Sequence, residues 1–364
     1  MSILIFLLVL AALIVAHEFG HFIVAKLSGI RVEEFAIGFP PRLFSVQYGE
    51  TTYSLNLIFV GGFVRIAGEN DGDDAADPRS FMHAPRLVQA AVVVGGIVGN
   101  IIAAWLLLSV AFMVGLPTAI SPSMSHVNAS NVELTVLDVL PSTPAARAGI
   151  AQGDVITSIQ TGTTVLSAPL TATAAHDFIG AHGDESMVVT VQRDSAQKIF
   201  VLKPEAGVIP DEPQRKGLGV DFADVGMVRS TPLHAFIDAG NLVATETVLT
   251  AQGLSHFFAG LVTGHADLGQ VSGPVGIAQA GASAAAKGWG MLLWFAAVIS
   301  INLALINILP VPGLDGGRLA VIIIEAIRGR SLSARFHAHA SMIGLSLLAL
   351  LMVVVTWHDI AKLI

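Results

Sequence analysis

The residues of this chain best suited to chemistry form one short stretch, His17-Glu18-Phe19-Gly20-His21, near its amino terminus. Residues four apart lie on one face of a helix, about one turn from each other. His17 and His21 can therefore direct ring nitrogens at one metal ion, and Glu18 lies close enough to take a proton from water. Two imidazoles and a carboxylate suit zinc and leave a coordination position open.

The surroundings of this motif strengthen its functional interpretation, because HExxH by itself is short and often occurs by chance. Residues 3–15 are almost wholly apolar, and Phe22 to Ala25 continue the apolar run. An ionisable side chain at the centre of a membrane helix costs roughly 2.5 kcal/mol or more. Three such side chains within about one turn predict a metal site inside a membrane span.

The composition indicates a membrane protein. Of the 364 residues, 53% are hydrophobic, and the mean hydropathy is +0.72, both well above the values of soluble domains. The chain has no cysteine, which excludes disulfides and thiolate metal sites. A formal net charge of −8 argues against a nucleic-acid partner.

Four apolar segments predict a polytopic α-helical membrane protein with about four transmembrane helices. The first could also be a cleaved signal peptide, but it lacks a basic start and a small-residue cleavage site, and it carries HExxH. The predicted spans are Ile3–Ala25, Leu87–Leu116, Trp289–Leu309 and Met342–Trp357. They divide between a membrane core at residues 1–116 and a second core region at residues 287–364.

The connection between the first two spans predicts a membrane-associated β-hairpin or small sheet. Residues Thr51–Ile58 alternate between apolar and polar, Gly61 and Gly62 follow, and Phe63–Ile66 resumes a strand pattern. The acidic stretch at residues 69–77 is typical of a solvated loop.

Residues 126–222 predict a separate α+β domain, because polarity rises and strand patterns appear. The pattern PAxxAGIxxGDxIxxI over Pro144–Ile159 resembles a PDZ domain of the type associated with bacterial proteases. Gly217-Leu218-Gly219-Val220 is interpreted first as part of a terminal strand and second as a peptide-binding loop. The following segment, residues 227–286, predicts an amphipathic, interfacial region.

The end of the third span contains the best candidate for a third metal ligand. Proline and glycine interrupt the helix after Asn307, at membrane depth, where irregular backbone is tolerated only inside protein or beside a wet cavity. Asp315 is the one carboxylate in this break. A turn or cap role is the alternative for Asp315, and Glu325 is the rival ligand.

Together, HExxH and Asn307-x-x-Pro-x-Pro-x-Leu-Asp-Gly-Gly resemble the site-2 protease family of intramembrane zinc metalloproteases, over nearly the whole chain. Tyr53–Ile66 and Ser272–Gly276 also resemble the bacterial regulator-of-sigma-E protease branch of this family. The resemblance implies that His17, His21 and Asp315 bind Zn²⁺ and that Glu18 is the catalytic acid/base. It also implies that Asn307 helps to hold the substrate.

The same resemblance assigns a role to the hairpin around residues 53–66. In the family this element re-enters the membrane and presents an edge strand to the substrate, which implies a substrate-binding set of Tyr53, Leu55, Leu57, Gly61 and Gly62. One departure is that some members of the branch carry two tandem PDZ domains, whereas this chain has room for a single one.

The resemblance implies an enzyme of regulated intramembrane proteolysis in a bacterial inner membrane. Its expected substrates are single-span membrane proteins, such as anti-sigma factors or signal-peptide remnants, already cut by a site-1 protease. Basic residues in the loops between spans one and two and between spans three and four place both loops in the cytoplasm, with the termini and the PDZ-like domain outside. The alternative, a metal-binding transporter or scaffold, would usually show internal repeats, and none is evident.

Overall fold

The structure is a computed structural model, and the chain folds as two compact units. One unit comprises Met1–Val114 with Pro232–Ile364, and the other, the inserted unit, comprises Gly115–Thr231. The structure describes residues 2–69, 77–120, 128–193, 196–208, 214–264, 272–330 and 332–361. Most of the acidic loop predicted at residues 69–77 therefore lies outside the described residues.

Two long apolar helices open the first unit, α1 (Ser2–Leu27) and α2 (Arg86–Val114). Their backbones approach closely, because a Cβ added at Gly20 would fall 2.1 Å from the carbonyl oxygen of Gly95. Glycine is the residue that permits such contact between membrane helices. This close approach brings α2 directly behind the face of α1 that carries the two histidines.

Strands β1 (Val32–Tyr48) and β2 (Thr51–Ile66) form the predicted hairpin between these helices. Tyr48 lies opposite Thr51 at the turn, and Ile37 lies opposite both Gly62 and Leu55, so the first part of β1 is flanked by two parts of β2. Exposed apolar side chains occur in the second half of β1 and in the middle of β2: Leu43, Phe44, Val46, Tyr48, Leu57, Ile58 and Phe59. Such a surface is suited to contact with lipid.

A small hydrophobic core anchors the base of the hairpin. Its residues come from the end of α1, the start of β1, the end of β2, a 3₁₀ turn at Phe81–His83, α2 and a later helix, namely Ala25, Ile30, Val32, Ile66, Phe81, Val92, Val93 and Ile322. Because these elements share one core, the base of the hairpin is fixed relative to α1 and α2.

The described residues of the inserted unit form an antiparallel sheet and two short helices. Its elements are β3 (Leu116–Ala119), β4 (Asn128–Val139), α3 (Pro144–Ala148), β5 (Val155–Thr161), β6 (Thr164–Ser167), α4 (Ala172–Ala181), β7 (Met187–Arg193), β8 (Ala196–Leu202) and β9 (Val220–Arg229). The strand order is β3-β9-β4-β5-β7-β8, and β6 pairs with β5. The unit extends beyond the predicted range 126–222 at both ends, because β3 pairs with the second half of β9.

The described residues of the first unit also form α5 (Pro232–Thr263), α6 (Pro274–Ala286), α7 (Trp289–Asn307), α8 (Asp315–Arg328) and α9 (Ala334–Ala361). Helix α5, predicted to be interfacial, packs against both α2 and α7. The indole N–H of Trp105 on α2 donates a hydrogen bond to the carbonyl oxygen of Phe236 on α5, at 2.8 Å.

Among the described residues, four helical segments are long and apolar enough to cross a membrane: Leu7–Leu27, Arg86–Val114, Trp289–Asn307 and His339–Ala361. They correspond to the four predicted spans and identify the chain as a membrane protein. Helix α8 begins at Asp315 itself, directly after the predicted break at the end of α7.

Candidate metal centre

The two histidines of HExxH lie on one face of α1 and point at the same place. Their Nε2 atoms are 3.1 Å apart. Asp315, in the first turn of α8, places its Oδ2 atom 3.1 Å from Nε2 of His17 and 3.3 Å from Nε2 of His21. Residues 298 positions apart in the sequence are thus brought within hydrogen-bonding distance.

The break between α7 and α8 allows Asp315 to reach the histidines. Gly313 has a φ of +98°, which favours glycine, and the two following glycines lie against the chain that precedes them. A Cβ at Gly316 would fall 2.2 Å from the carbonyl oxygen of Ile308, and one at Gly317 would fall 2.2 Å from that of Val311. The LDGG sequence therefore folds the start of α8 back onto the end of α7.

Arg318 fixes the orientation of α8 from the other side. Its guanidinium pairs with the Glu69 carboxylate and donates a 2.7 Å hydrogen bond to the Glu69 carbonyl oxygen. It also lies over the ring of Phe81, 4.8 Å from the ring centroid. These contacts attach the first turn of α8, which carries Asp315, to the end of the hairpin.

The three side chains fit a zinc ion. Within the described part of the chain, they are the one group of three or more histidines and acidic residues whose ligand atoms all lie within 4.8 Å of one another. The Oδ2 atom of Asp315 is buried and has no hydrogen-bond partner among the described residues. Two imidazole nitrogens, one carboxylate oxygen and no thiolate form the donor set of a catalytic zinc site.

Glu325, the rival ligand, lies elsewhere. Its buried carboxylate forms an ion pair with Arg86 at 2.8 Å and accepts a 2.7 Å hydrogen bond from the backbone N–H of Leu332. These contacts give the Glu325 carboxylate a structural role at the end of α8, away from the two histidines.

Helix α2 contacts Nδ1 of both histidines, the ring nitrogen that is not directed at Asp315. Nδ1 of His21 donates to the carbonyl oxygen of Val92 at 2.9 Å. Nδ1 of His17 lies 3.2 Å from the side-chain amide of Asn100. The sequence predicts for Asn100 either interhelical packing, the favoured interpretation, or a hydrogen bond across the bundle, and it does not indicate which face of α2 meets α1.

Glu18 is attached to the hairpin. The backbone N–H of Val64, in β2, donates a 3.0 Å hydrogen bond to Oε2 of Glu18. Sequence reasoning does not identify Val64, because a backbone donor leaves no mark in the residue type. The contact directs the carboxylate of HExxH toward the strand rather than into the helix bundle.

The predicted substrate-binding residues lie in different environments. The Asn307 amide lies 3.5 Å from Nε2 of His17, beside the candidate metal ligands. Gly61 and Gly62 pack against α1, where their added Cβ atoms would meet the side chains of Ile14 and Val15 at 3.3 and 3.5 Å.

The other three predicted residues lie earlier in β2 than the two glycines. Tyr53 packs against the ring of Phe22, and Leu57 is exposed. Leu55 lies opposite both Ile37 and Phe44, so it has a strand neighbour on each side. Both ends of β2 therefore contact α1, through Tyr53 near its start and through Val64 near its end, and of these two residues it is Val64 that contacts Glu18.

Comparison with known proteins gives a consistent result. The family model of peptidase family M50 matches residues 5–351. The chain is 36% identical to the Nostoc sp. (strain PCC 7120) protein all3971, which carries the name of a zinc metalloprotease, over 96% of this chain and 93% of that one. It is 29% identical to the regulator of sigma-W protease RasP of Bacillus subtilis (strain 168), over 100% and 99% of the two chains.

Proposed function

The chain belongs to peptidase family M50 and is a zinc metalloprotease, and from this premise we propose that it hydrolyses peptide bonds within the membrane-spanning segments of other proteins. The observation that carries the proposal is the position of the candidate metal centre. His17, Glu18 and His21 lie within Leu7–Leu27, a helical segment apolar and long enough to cross a membrane. A peptidase whose catalytic groups lie inside a span acts on chains that are themselves in the membrane.

The proposed roles follow from the geometry of the centre. His17, His21 and Asp315 would hold zinc, which supplies a Lewis acid that polarises the scissile carbonyl and acidifies water. Glu18 takes the proton from the attacking water and later gives it to the leaving amine. The N–H of Val64 orients the Glu18 carboxylate for both transfers.

Substrate positioning is assigned to the hairpin and to Asn307. A membrane-spanning helix hides its peptide carbonyls, so it must become extended before attack, and a sheet edge can hold an extended segment by main-chain hydrogen bonds. Gly61–Ile66 is the part of β2 that lies beside α1 and Glu18, and its two glycines permit close approach. The Asn307 amide lies beside His17, where it can donate to a substrate carbonyl.

The proposed substrates are single-span regulatory proteins of the anti-sigma type or signal-peptide remnants, shortened beforehand by a site-1 protease. The RasP relative is named as a regulator of sigma-W protease, which supports this class. We place the chain in a bacterial inner membrane, with the PDZ-like inserted unit and the termini outside the cytoplasm. Basic residues lie between α1 and α2 and between α7 and α9, and they support that orientation.

Cleavage of a single-span model substrate by the purified chain tests the proposal. Glu18→Gln should slow cleavage by about 10²–10⁴-fold, the usual contribution of a general base, and should leave zinc bound. A zinc chelator should abolish cleavage by the unaltered chain. Mass spectrometry of the products should place the cut bond inside the apolar segment.

Glu325→Gln is the matched control, because it changes another buried carboxylate of the same unit. It should retain zinc and most of the activity. Wild-type cleavage by Glu18→Gln would contradict the assigned role of Glu18, and products cut only outside the apolar segment would contradict intramembrane action. Retention of metal with no proteolysis by any form would favour a transporter or scaffold.

A further inference from the structure

Both histidines of the metal centre have an outer ring nitrogen directed at α2, and in His21 the partner fixes the tautomer. Nδ1 of His21 lies 2.9 Å from the carbonyl oxygen of Val92, in a buried contact. A carbonyl oxygen can only accept, so Nδ1 carries the hydrogen. Nε2 of His21 then presents a lone pair toward Asp315, as a metal ligand must.

The partner of His17 is a side chain that offers both a donor and an acceptor. Asn100 is fully buried, and its amide group lies 3.2 Å from Nδ1 of His17. With the amide nitrogen facing Nδ1, that ring nitrogen must accept, and the ring hydrogen then lies on Nε2. A hydrogen on Nε2 would occupy the position at which His17 binds a metal.

Rotation of the amide by 180° about its last bond exchanges the two ends, which have nearly the same size and shape. The oxygen would then accept from Nδ1–H of His17, and Nε2 would present a lone pair. Among the described residues, the Asn100 oxygen has no hydrogen-bond partner in the first orientation, so rotation breaks no contact of that oxygen.

The backbone of Asn100 is held in place, so its side chain cannot easily withdraw. Ser300 on α7 donates a 2.8 Å buried hydrogen bond to the Asn100 carbonyl oxygen. The neighbouring Gly99 lies against α1, since a Cβ there would fall 2.8 Å from the carbonyl oxygen of Ala16. Helices on two sides thus fix the distance between the amide and His17.

We propose that Asn100 is a positioning residue of the metal centre, whose amide oxygen accepts from Nδ1–H of His17 and thereby keeps Nε2 free for zinc. The inference rests on the proposed function, because it gives this asparagine a purpose only if His17 binds metal. Together with Val92, Asn100 makes α2 the element that sets the tautomer of both histidine ligands.

A packing role and a positioning role predict opposite rankings of substitutions. Asn100→Asp retains an acceptor oxygen in either orientation, and carboxylate–histidine–zinc arrangements are common. Asn100→Leu keeps the branched shape of the side chain, with bulkier methyl groups, but has no acceptor. Positioning predicts that aspartate binds zinc well and leucine poorly, whereas packing in an apolar bundle predicts that leucine is tolerated and aspartate is not.

Zinc affinity of the purified full chain in detergent, measured by competition with a chromophoric chelator, separates these outcomes. We expect Asn100→Leu to weaken zinc binding by about 10–100-fold, the usual effect of removing such a partner, and Asn100→Asp to stay within about threefold of wild type. Absorption of the cobalt-substituted forms should show altered ligand geometry in Asn100→Leu only.

Asn302→Leu is the matched control, because it removes another amide from a membrane helix, one that donates to Val298 on its own helix at 2.9 Å. Its zinc affinity should equal that of wild type. Thermal unfolding of the metal-free variants checks the fold, and Asn100→Ala replaces the leucine variant if that variant does not fold.

Wild-type zinc affinity in folded Asn100→Leu or Asn100→Ala would overturn the proposal. Loss of affinity by more than tenfold in folded Asn100→Asp would do the same, and this variant is informative even if both apolar variants unfold. Failure of the unaltered chain to bind zinc at all would instead count against the metal centre on which the proposed function rests.

Discussion

Two aspartates, one in each unit, differ in how their buried oxygen atoms are satisfied. Asp154 in the inserted unit accepts from Nε of Arg193 at 2.6 Å, from Nη2 of Arg193 at 2.8 Å and from the N–H of Ala151 at 3.0 Å. Asp315 in the membrane unit has an oxygen with no hydrogen-bond donor among the described residues, and that oxygen faces two imidazoles.

The difference indicates what each carboxylate is for. A buried polar group that the fold uses for stability is normally paired within the chain. Asp154 follows this rule, because it closes the turn between α3 and β5 and binds the end of β7 through Arg193. Asp315 departs from it, as is expected of a carboxylate that would share a zinc ion with two histidines.

The largest expected effect comes from removing each of these two carboxylates in turn. Asp315→Ala should remove zinc and lower cleavage at least about 10³-fold, since the metal supplies most of the electrostatic stabilisation in such a centre. Asp154→Ala should leave zinc bound and destabilise the inserted unit by about 2 kcal/mol, the scale of hydrogen bonds to a charged group. Metal analysis and hydrogen exchange measure the two effects in the full chain.

The proposed difference between the two carboxylates would be wrong if Asp315→Ala and Asp154→Ala behaved alike. Full zinc occupancy in Asp315→Ala would remove that residue from the ligand set and return Glu325 to consideration. Loss of zinc in Asp154→Ala would show that the inserted unit's carboxylate also supports the metal centre.

The next effect in size concerns space rather than charge. A Cβ at Gly96 would fall 2.2 Å from Nε2 of His21 and 2.8 Å from Cε1 of His17, so Gly96→Ala must displace a candidate metal ligand. We expect its zinc affinity to fall by about 10–100-fold, like that of other changes that disturb ligand orientation. Chelator competition measures the loss.

Gly253→Ala is the control, because Gly253 is also helical and has nothing within 4 Å of its added Cβ. It should leave zinc binding unchanged and should stabilise α5 by about 0.5–1 kcal/mol, the usual gain when alanine replaces a helical glycine. Unchanged zinc affinity in Gly96→Ala would mean that α1 and α2 can separate without cost to the centre.

The sequence was sufficient to predict the parts of the molecule that depend on local pattern. The family, the zinc metalloprotease activity and the zinc cofactor predicted from HExxH and the LDGG motif are confirmed. The four predicted spans correspond to α1, α2, α7 and α9 within a few residues, except that α9 starts eight residues earlier, at Ala334. Apolar length determines such spans, so composition alone locates them.

The contacts that complete the site could not be predicted in this way. Val64 meets Glu18 through a backbone N–H, and Asn100 meets His17 because Gly95 and Gly99 let α2 approach α1 at one rotation. Such contacts depend on strand register and helix rotation, which no local pattern specifies. The wider extent of the inserted unit has the same origin, because it follows from the pairing of β3 with β9.

The smallest predicted effect is the pH dependence of the inserted unit. Burial by itself would raise the pKa of Asp154, but hydrogen bonds from Arg193 and from the Ala151 N–H, with the Arg193 charge, outweigh burial and hold this pKa below its ordinary value. A carboxylate whose pKa is lower in the folded state stabilises the fold above its unfolded pKa of about 3.9 and loses that contribution as pH falls through the folded pKa.

We therefore expect the stability difference between wild type and Asp154→Asn to be constant from pH 7 to about pH 5 and to shrink below about pH 4, since the protonated acid no longer attracts Arg193. Hydrogen exchange of peptides from β4, β5 and β7, compared between the two forms at each pH, cancels the intrinsic pH dependence of exchange. Arg193→Leu should weaken or reverse this pH dependence, because burial then raises the pKa of Asp154 without the hydrogen bonds and charge of Arg193 to lower it. A difference that persists unchanged to pH 3 would mean that the shape of the side chain, rather than its charge, stabilises this turn, and the contrast with Asp315 would then rest on packing alone.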